Sequence, residues 1–525
     1  MITVGRPLHL RVKNVGRPFR GAKRTAAAML MAAAICAGGA DLVRSADAAA
    51  AADSPLLEAV KRGDEAAVRS LARRATVNAP SADGTTPLHI AARSDQVAIL
   101  KLLIGSGAKA DAADRYGITP LALAAMNGSA PAIAALLDAG ADGKTRVGDG
   151  ETVLMAAART GRADAVRLLL EHGADPNARE PWLGETALMW AAGENHGEVV
   201  RLLAASHADL GARSVVPEFP KVKVDLATMV TTALPRGGLT ALMFAARQGA
   251  PDGARALAEV DAPLDAQDPD GTTALVIAII NAHYEAAAVL IDKGANLDLA
   301  DSAGMTPLYA AVDMEHQEPL INRPLAKPSG TMRASDVVSR LLARGANANA
   351  VLKSTLLMRQ HSDGDPTFGA GATPLMRAAK VADVAIMRDL LTHGADPRLR
   401  LRNGNTALHI IAARGGRNAA PEATAIEAAT LLLDKGADIQ AATDSGQTAL
   451  HAAVGRGDGL VRLLVERGAK LDAKDSAGRT ALDVALGVPG AAGGRGRGGQ
   501  APPPGPVNKT TAALLKELAG GPNNK

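Results

Sequence analysis

Along most of the chain, apolar residues come in two short bursts per roughly 33 residues, separated by polar, turn-forming stretches. In the unit beginning at Gly84, Leu88, Ala91 and Ala92 have the spacing of one helical face, and Ile99, Leu102 and Leu103 that of a second. Thr86 followed by Pro87 predicts the start of the first helix, because a threonine hydroxyl caps free backbone N–H groups and proline tolerates the first helical position. Gly107 falls just past the second helix, where a left-handed terminating residue is expected. Residues 108–116 then read as a turn-rich connector.

The frame recurs. Gly-x-Thr-x-Leu begins at Gly84, Gly117, Gly150, Gly184, Gly238, Gly271, Gly304, Gly371, Gly404, Gly446 and Gly478, with spacings of 33, 33, 34, 54, 33, 33, 67, 33, 42 and 32. Ser54-Pro55-Leu56-Leu57 fits one unit upstream, giving about twelve units whose first and last members are atypical, as caps should be. Terminating glycines return at Gly140, Gly173, Gly294, Gly345, Gly394, Gly436 and Gly468, while His207 and Asp261 take that place in two units. One helix pair of this size cannot bury its own apolar face; stacked units can.

The expected layout is a basic leader over 1–48, a capping repeat over 49–83, repeats over 84–210, an insertion over 211–237 and repeats over 238–313. A second insertion spans 314–335, a repeat's second helix 336–349, a third insertion 350–370, repeats 371–488, a Gly/Arg/Pro linker 489–508, and a C-terminal helix and tail 509–525. Lys221 to Leu226 alternate strictly and read as a short strand or hairpin. A smaller expansion is expected around Arg417 to Thr424, and Thr510 to Leu518 carry a helical pattern able to cap the array.

Thr86-Pro87-Leu88-His89, Gly107-Ala108 and the 33-residue period together resemble ankyrin repeats, over roughly 85% of the chain. With the leader and insertions, the array is similar to exported bacterial ankyrin-repeat proteins. The resemblance implies an all-α solenoid of about twelve helix-turn-helix units. It also implies a histidine network linking neighbouring threonines, which should be thin here: only His89, His409 and His451 occupy the fourth tetrapeptide position, and Met155, Met189, Met243 and Met376 replace it elsewhere. It further implies a concave binding face made by the turn tips beside Gly-x-Thr and by positions seven and eight after threonine. Those slots hold Tyr116, Met126, Trp182, Glu185 and the series Arg93, Arg159, Arg247 and Lys380, expected to stack as a discontinuous basic stripe. Trp190 and Phe244, four residues after their threonines, either join that face or fill core gaps beside the insertions.

Composition narrows this picture. Aromatics are 2% of residues, so the core must be shallow and built from closely approaching helices. Charged residues at 21% exclude wholesale disorder. The net charge of +4 misleads: the leader holds eight Lys/Arg against two Asp/Glu and the tail from Pro489 five against one, leaving 45 basic and 51 acidic residues, a body of −6. That balance gives no nucleic-acid footprint.

Residues 1–24 carry seven basic groups and no acid, Thr25 to Ala40 are small and apolar, and Ala46-Asp47-Ala48 offers a cleavage site, the three regions of a secretory signal. The competing readings are a disordered basic leader or a coding start placed too early. Ile35 before Cys36 suits a lipoprotein acceptor poorly, and removal of the leader removes the only cysteine. No later stretch reaches 18 uninterrupted apolar residues, so no membrane span is expected after cleavage.

Catalytic chemistry finds little support. Eight of eleven histidines fall in recurrent repeat slots, His9 lies in the leader, and His316 and His361 lie in insertions. His361-Ser362-Asp363-Gly364-Asp365 lacks the ligand count and spacing of a calcium loop and reads as a solvated loop. Gly493 to Gly499 resembles RNA-binding glycine-arginine tracts, but two arginines without an aromatic read better as a linker. The expectation is a monomeric, non-catalytic protein-binding scaffold in the periplasm or outside the cell, with no cofactor, metal or nucleic acid and an unidentified protein partner. Its rivals are a cytosolic or host-directed ankyrin interaction protein and, further off, an enzyme with a site in the insertions. Fusing residues 1–48 to a reporter active only outside the cytoplasm should give activity, and the cellular protein should lack Cys36. Recovery of intact Met1 or Ile2 would reject export.

Overall fold

The computed structural model describes residues 54–73, 76–147, 150–216, 225–226, 229–230, 237–316, 326–354, 368–413, 420–489 and 507–520. The leader with Cys36, Lys221–Val224, Pro319 and Pro324, His361–Asp365 and Gly493–Gly499 lie outside these residues.

Twelve helix pairs follow one another among the described residues. The first helices are Pro55–Arg62, Pro87–Arg93, Pro120–Asn127, Val153–Thr160, Ala187–Gly193, Ala241–Gln248, Ala274–Ile280, Pro307–Glu315, Pro374–Val381, Ala407–Ala412, Ala449–Ala453 and Ala481–Ala485. The second helices are Glu65–Leu71, Val97–Gly105, Ala130–Asp138, Ala163–Glu171, Gly197–Ala205, Pro251–Glu259, Tyr284–Asp292, Ala334–Ala343, Val384–Thr392, Glu422–Asp434, Asp458–Glu466 and Lys509–Gly520. Each first helix packs on its own second helix and on the first helices of adjacent units, and the second helices pack on one another in the same order.

That two-layer stacking corrects the one-faced reading of the first helix. Pro87 through Ala92 are all buried, because the helix is covered by neighbours on both sides and by its own partner. The second helix does keep a single buried face, made by Ile99, Leu100 and Leu103, with Leu102 only partly covered.

Threonine starts the first helices as expected. The hydroxyls of Thr119, Thr152, Thr186, Thr240, Thr273, Thr306, Thr373 and Thr480 accept from the backbone N–H three residues on, an arrangement whose loss costs about 1 kcal/mol each. Where that residue is histidine, Nδ1 takes over: His89 Nδ1 accepts from the Thr86 N–H at 3.1 Å and bonds the Thr86 hydroxyl at 2.8 Å. Because Nδ1 accepts, Nε2 carries the proton and donates to the Ile118 carbonyl of the next unit at 2.9 Å. His409 and His451 repeat the pattern toward Gln447 and Arg479. Met155 fills the slot with a weaker acceptor, its Sδ lying 3.4 Å from the Thr152 N–H.

All eleven frame glycines have φ between +65° and +90°. Gly304 and Gly446 also face a second constraint. The next hairpin donates Lys353 N–H to the Ala303 carbonyl and Ser476 N–H to the Ser445 carbonyl. A Cβ on either glycine would then stand 2.7 Å from that nitrogen. His207 and Asp261, which replace the terminating glycine, adopt φ +64° and +60°.

A buried carboxylate closes the hairpin loop in several units. Asp114, Asp301 and Asp475 each accept from two backbone N–H groups of their own loop. In the unit that is one residue longer, ending at Gly184, the acid is Glu180, which accepts from Trp182, Leu183 and Glu185.

The insertions differ in detail from their sequence outline. The expected strand is represented by β1 (Asp225–Leu226), antiparallel to β2 (Met229–Val230), with Asp225 opposite Val230. The expansion expected to run through Thr424 is already helical from Glu422, and that helix is 13 residues long. Its extra turn has a cause: Glu422 Oε1 accepts from Gly459 and Leu460 N–H, capping the next unit's second helix, which Gly457 precedes without a side chain. The helix Lys509–Gly520 packs on Ala481–Ala485 and closes the array, as the sequence pattern predicts.

Burial holds the imidazoles of His89 and His409 below their ordinary protonation range. As pH falls below about 6.5 the unfolded chain therefore binds protons that the native state refuses, and stability is lost toward acid. Replacing both residues by Met, the alternative present at Met155, should flatten the fall in melting temperature between about pH 7 and 5. Equal slopes for variant and wild type would show that these two groups do not carry it.

Candidate functional site

The residue seven after threonine lies at the end of its first helix, and the junction brings it against the residue four after the next unit's threonine. Arg159 thus sits over the Trp190 ring, 4.9 Å from its centroid. At another junction the same two positions hold Asp313 and the buried Arg377, ion-paired at 2.6 Å, with Arg377 Nη2 also donating to the His316 carbonyl at 2.8 Å. Arg247 instead covers Phe244 of its own helix at 4.5 Å, and Lys380 covers Phe368 at 5.7 Å. Such cation–ring contacts are worth about 0.5–2 kcal/mol, more as water is excluded.

Carboxylates interleave with these cations. Glu151 lies 3.9 Å from Arg159. Burial raises the Glu185 carboxyl above its ordinary range, and Arg247 opposes that shift. Burial likewise lowers the Arg247 guanidinium, with Glu185 opposing. The Trp190 indole N–H also favours ionised Glu185, although their contact is too loose to satisfy the buried Nε1 as a formed hydrogen bond.

Of the four cations expected to stack as a basic stripe, Arg93 is exposed, while Arg159, Arg247 and Lys380 are half-buried over rings. The row is therefore an alternation of cation, ring and carboxylate. Phe244 is 7% exposed and supports Arg247 from the core, whereas Trp190 is half-buried. The helix ends that carry the row are clamped from the following unit. His196 Nε2 bonds the Arg159 carbonyl and His283 Nε2 the Arg247 carbonyl, both at 3.0 Å. Asn127 Nδ2 reaches the Ala92 and Arg93 carbonyls at 3.0 and 2.9 Å. Beside this row, Trp182 is 75% and Tyr116 66% exposed at hairpin tips, and Met126, Leu183, Val215 and Val216 are exposed too.

The sequence reading missed a second periodic feature. Arg146 Nη1 donates to the Gly150 carbonyl at 2.6 Å and to the Arg179 carbonyl at 3.1 Å. Arg179 Nη1 donates to Gly184 and Arg213 at 3.1 and 2.6 Å, and Arg213 Nη1 to Gly238 and Gln267 at 2.8 and 2.7 Å. Gln267 Nε2 continues to Gly271 and Ala300 at 2.7 and 3.3 Å. The available signal was a long polar side chain four residues before the frame glycine, at Arg146 and Gln267. The extra loop residue hides it at Arg179, and the insertion hides it at Arg213.

Among the described residues no group of three or more His, Cys, Asp or Glu is arranged to hold a metal ion, and no helix is long and apolar enough to cross a membrane. The family model described as "Ankyrin repeats (3 copies)" matches over 30–114, 56–147, 121–214, 183–268, 242–320, 333–443 and 417–488. No curated protein matches. Among solved structures, the crystal structure of the human ASB11 ankyrin repeat domain is 23% identical, covering 46% of this chain and 99% of that one, with a TM-score of 0.38.

Trp190→Ala should lower stability by about 2 kcal/mol, since it removes a large half-buried ring together with the seat of Arg159. Tyr116→Ala should change it by less than about 0.5 kcal/mol, because that ring is mostly in solvent. Chemical denaturation of the two variants checks this, and equal losses would refute the distinction.

Proposed function

The chain belongs to the ankyrin-repeat family, and from that premise we propose that it is a non-catalytic scaffold that captures a protein partner along the row running from Tyr116 to Arg247. One observation carries the reading. In a chain with four Phe, three Tyr and two Trp, Trp182 and Tyr116 stand exposed at hairpin tips beside the clamped row of Arg159, Trp190, Glu185 and Arg247. Aromatic and arginine side chains held rigidly before docking are favoured binding anchors, because little rotamer freedom remains to be lost. Arg93, Met126 and Lys380 extend the same register as lesser contacts. The leader supports placing this activity in the periplasm or outside the cell, where the array acts as a monomer.

Full-length chain expressed in its native host and isolated with its partner, identified by mass spectrometry, provides the assay. Arg159→Ala and Trp182→Ala should each weaken capture by about 1 to 3 kcal/mol; Trp182→Ala should leave the melting temperature nearly unchanged, whereas Arg159→Ala should also lose the roughly 0.5–2 kcal/mol of its contact with the Trp190 ring. If both variants capture as wild type does, whereas deletion of 211–237 or 350–370 abolishes capture, recognition belongs to the insertions. A tightly bound metal or a hydrolase activity in the purified chain would instead favour an enzyme.

A further inference from the structure

We propose that Arg146, Arg179 and Arg213 form a docking column for an extended acidic segment of a protein partner, one whose carboxylates recur at every third residue. This rests on the protein-binding reading and names the chemistry of what binds.

The three guanidinium groups are exposed and stand on consecutive hairpins. Each is fixed through Nη1 by two backbone carbonyls, one in its own loop and one in the next. Neutral carbonyls orient a guanidinium without cancelling its charge, and the fork retains donors for a further acceptor. No carboxylate among the described residues lies within ion-pair distance of any of the three. The cations of the neighbouring row differ on this point: Arg159 has Glu151, and Arg247 has Glu185.

The spacing of the column selects the ligand. Packed helices repeat at about 8–10 Å, so hairpins tied to successive units repeat at about that distance. An extended chain advances about 3.3 Å per residue, and polyproline II about 3.1 Å with three residues per turn. In polyproline II, carboxylates at i, i+3 and i+6 share one side and meet the three arginines in register, whereas in a β-strand i and i+3 point to opposite faces. The residues between them face apolar surface. A Cβ at Gly184 would meet both Val215 Cγ2, at 2.9 Å, and Arg179 Nη1, at 3.5 Å. One at Gly238 would meet Val216 Cγ2 at 3.3 Å, and Arg213 bonds the Gly238 carbonyl. Exposed Val215 and Val216 thus lie directly beside the column, with Leu183 paired to Val215 through the backbone. A nucleic acid is the poorer fit, since a body carrying 45 basic and 51 acidic residues repels a long polyanion while a few carboxylates suit three local cations.

The fold supplies its own neutral control. Gln267 occupies the next rung and makes both carbonyl bonds with an amide, so Arg→Gln removes charge while retaining the ladder. The full chain and the Arg146→Gln/Arg179→Gln/Arg213→Gln variant would be titrated with two fluorescent peptides of equal composition. One repeats Glu-Pro-Ala four times, and the other carries its four Glu contiguously. Wild type should bind the spaced peptide about fivefold or more tighter than the clustered one, with affinity falling as salt rises. The triple variant should lose about tenfold or more for the spaced peptide and most of the salt dependence, at an unchanged helical spectrum and melting temperature. If the triple variant unfolds, Arg179→Gln alone should still lose about threefold. The proposal is overturned if wild type binds neither peptide, if it binds both equally, or if the folded variant binds the spaced peptide as wild type does. Tighter binding of an oligothymidylate of equal charge, abolished in the variant, would overturn it in favour of nucleic acid. These peptides read the column alone, whereas failure of the scaffold reading appears in native-partner capture by the Arg159 and Trp182 variants, so the two failures are separable.

Discussion

First helices pack on one another in succession, and in six units the residues five and six after the threonine are both alanine. Ala91 and Ala92, Ala124 and Ala125, Ala157 and Ala158, Ala191 and Ala192, and Ala245 and Ala246 have no exposed surface. A methyl side chain is what allows two helical backbones to approach so closely, and enlarging a packed core position typically costs about 1–3 kcal/mol through strain. The 2% aromatic content follows from this contact: an array that buries its central helices by proximity leaves little interior volume for rings. The hairpins inherit the same closeness. When first helices are tightly spaced, a loop can donate to the carbonyl of its predecessor, and the glycine beneath such a contact cannot carry a Cβ, as Gly304 and Gly446 illustrate.

The same constraint leaves the rim as the place where side chains are free to vary. Positions four and seven after threonine flank the alanine pair, and position four holds Ile90, Leu123, Ala156, Trp190, Phe244 and Arg377 in different units. The contact they make across the junction is set by the stack, while its chemistry is set locally: a cation over a ring at Arg159 and Trp190, an ion pair at Asp313 and Arg377. Function-bearing variety is thereby grafted on a core contact that keeps alanine at position five in ten of the eleven frame units. Clamping of the helix ends by Asn127, His196 and His283 holds these rim groups before any partner arrives.

Much of this was legible in the chain because the signals are local. Threonine as a cap, glycine or its substitutes His207 and Asp261 at left-handed positions, and the closing helix near Thr510 each depend on a few adjacent residues, and each is found in place. What was not legible joins residues about one unit apart. The recurrence of Arg93, Arg159, Arg247 and Lys380 at one position predicts a basic stripe, but the partners that cover three of them come from different places: Trp190 from the next unit, Phe244 from the same helix, Phe368 from a connector. Recurrence in sequence fixes which face a side chain starts from, and the neighbouring unit decides where its charge ends. The helical extension at Glu422 belongs to the same class, since its reason lies at Gly457, in the following unit.

The arginine column shows how strongly the hairpin register is defended against changes in loop length. Between Gly150 and Gly184 the unit has one residue more than its predecessor, which would ordinarily carry the loop out of step. The acid there is Glu180 instead of Asp, and its longer side chain gathers three N–H groups where Asp114 gathers two. With the extra residue absorbed inside the loop, Arg179 still reaches both the Gly184 and Arg213 carbonyls. The next unit is lengthened far more, yet Gly238 N–H returns to the Ser214 carbonyl and Ser214 N–H donates to the Leu239 carbonyl, so the chain leaves and rejoins the ladder at adjacent points. Arg213 consequently bonds Gly238 across 25 residues of sequence as Arg146 bonds Gly150 across four. Loop length is thus decoupled from ladder geometry, and an insertion can be placed beside Trp182 and Val215 while the register of the guanidinium groups is retained.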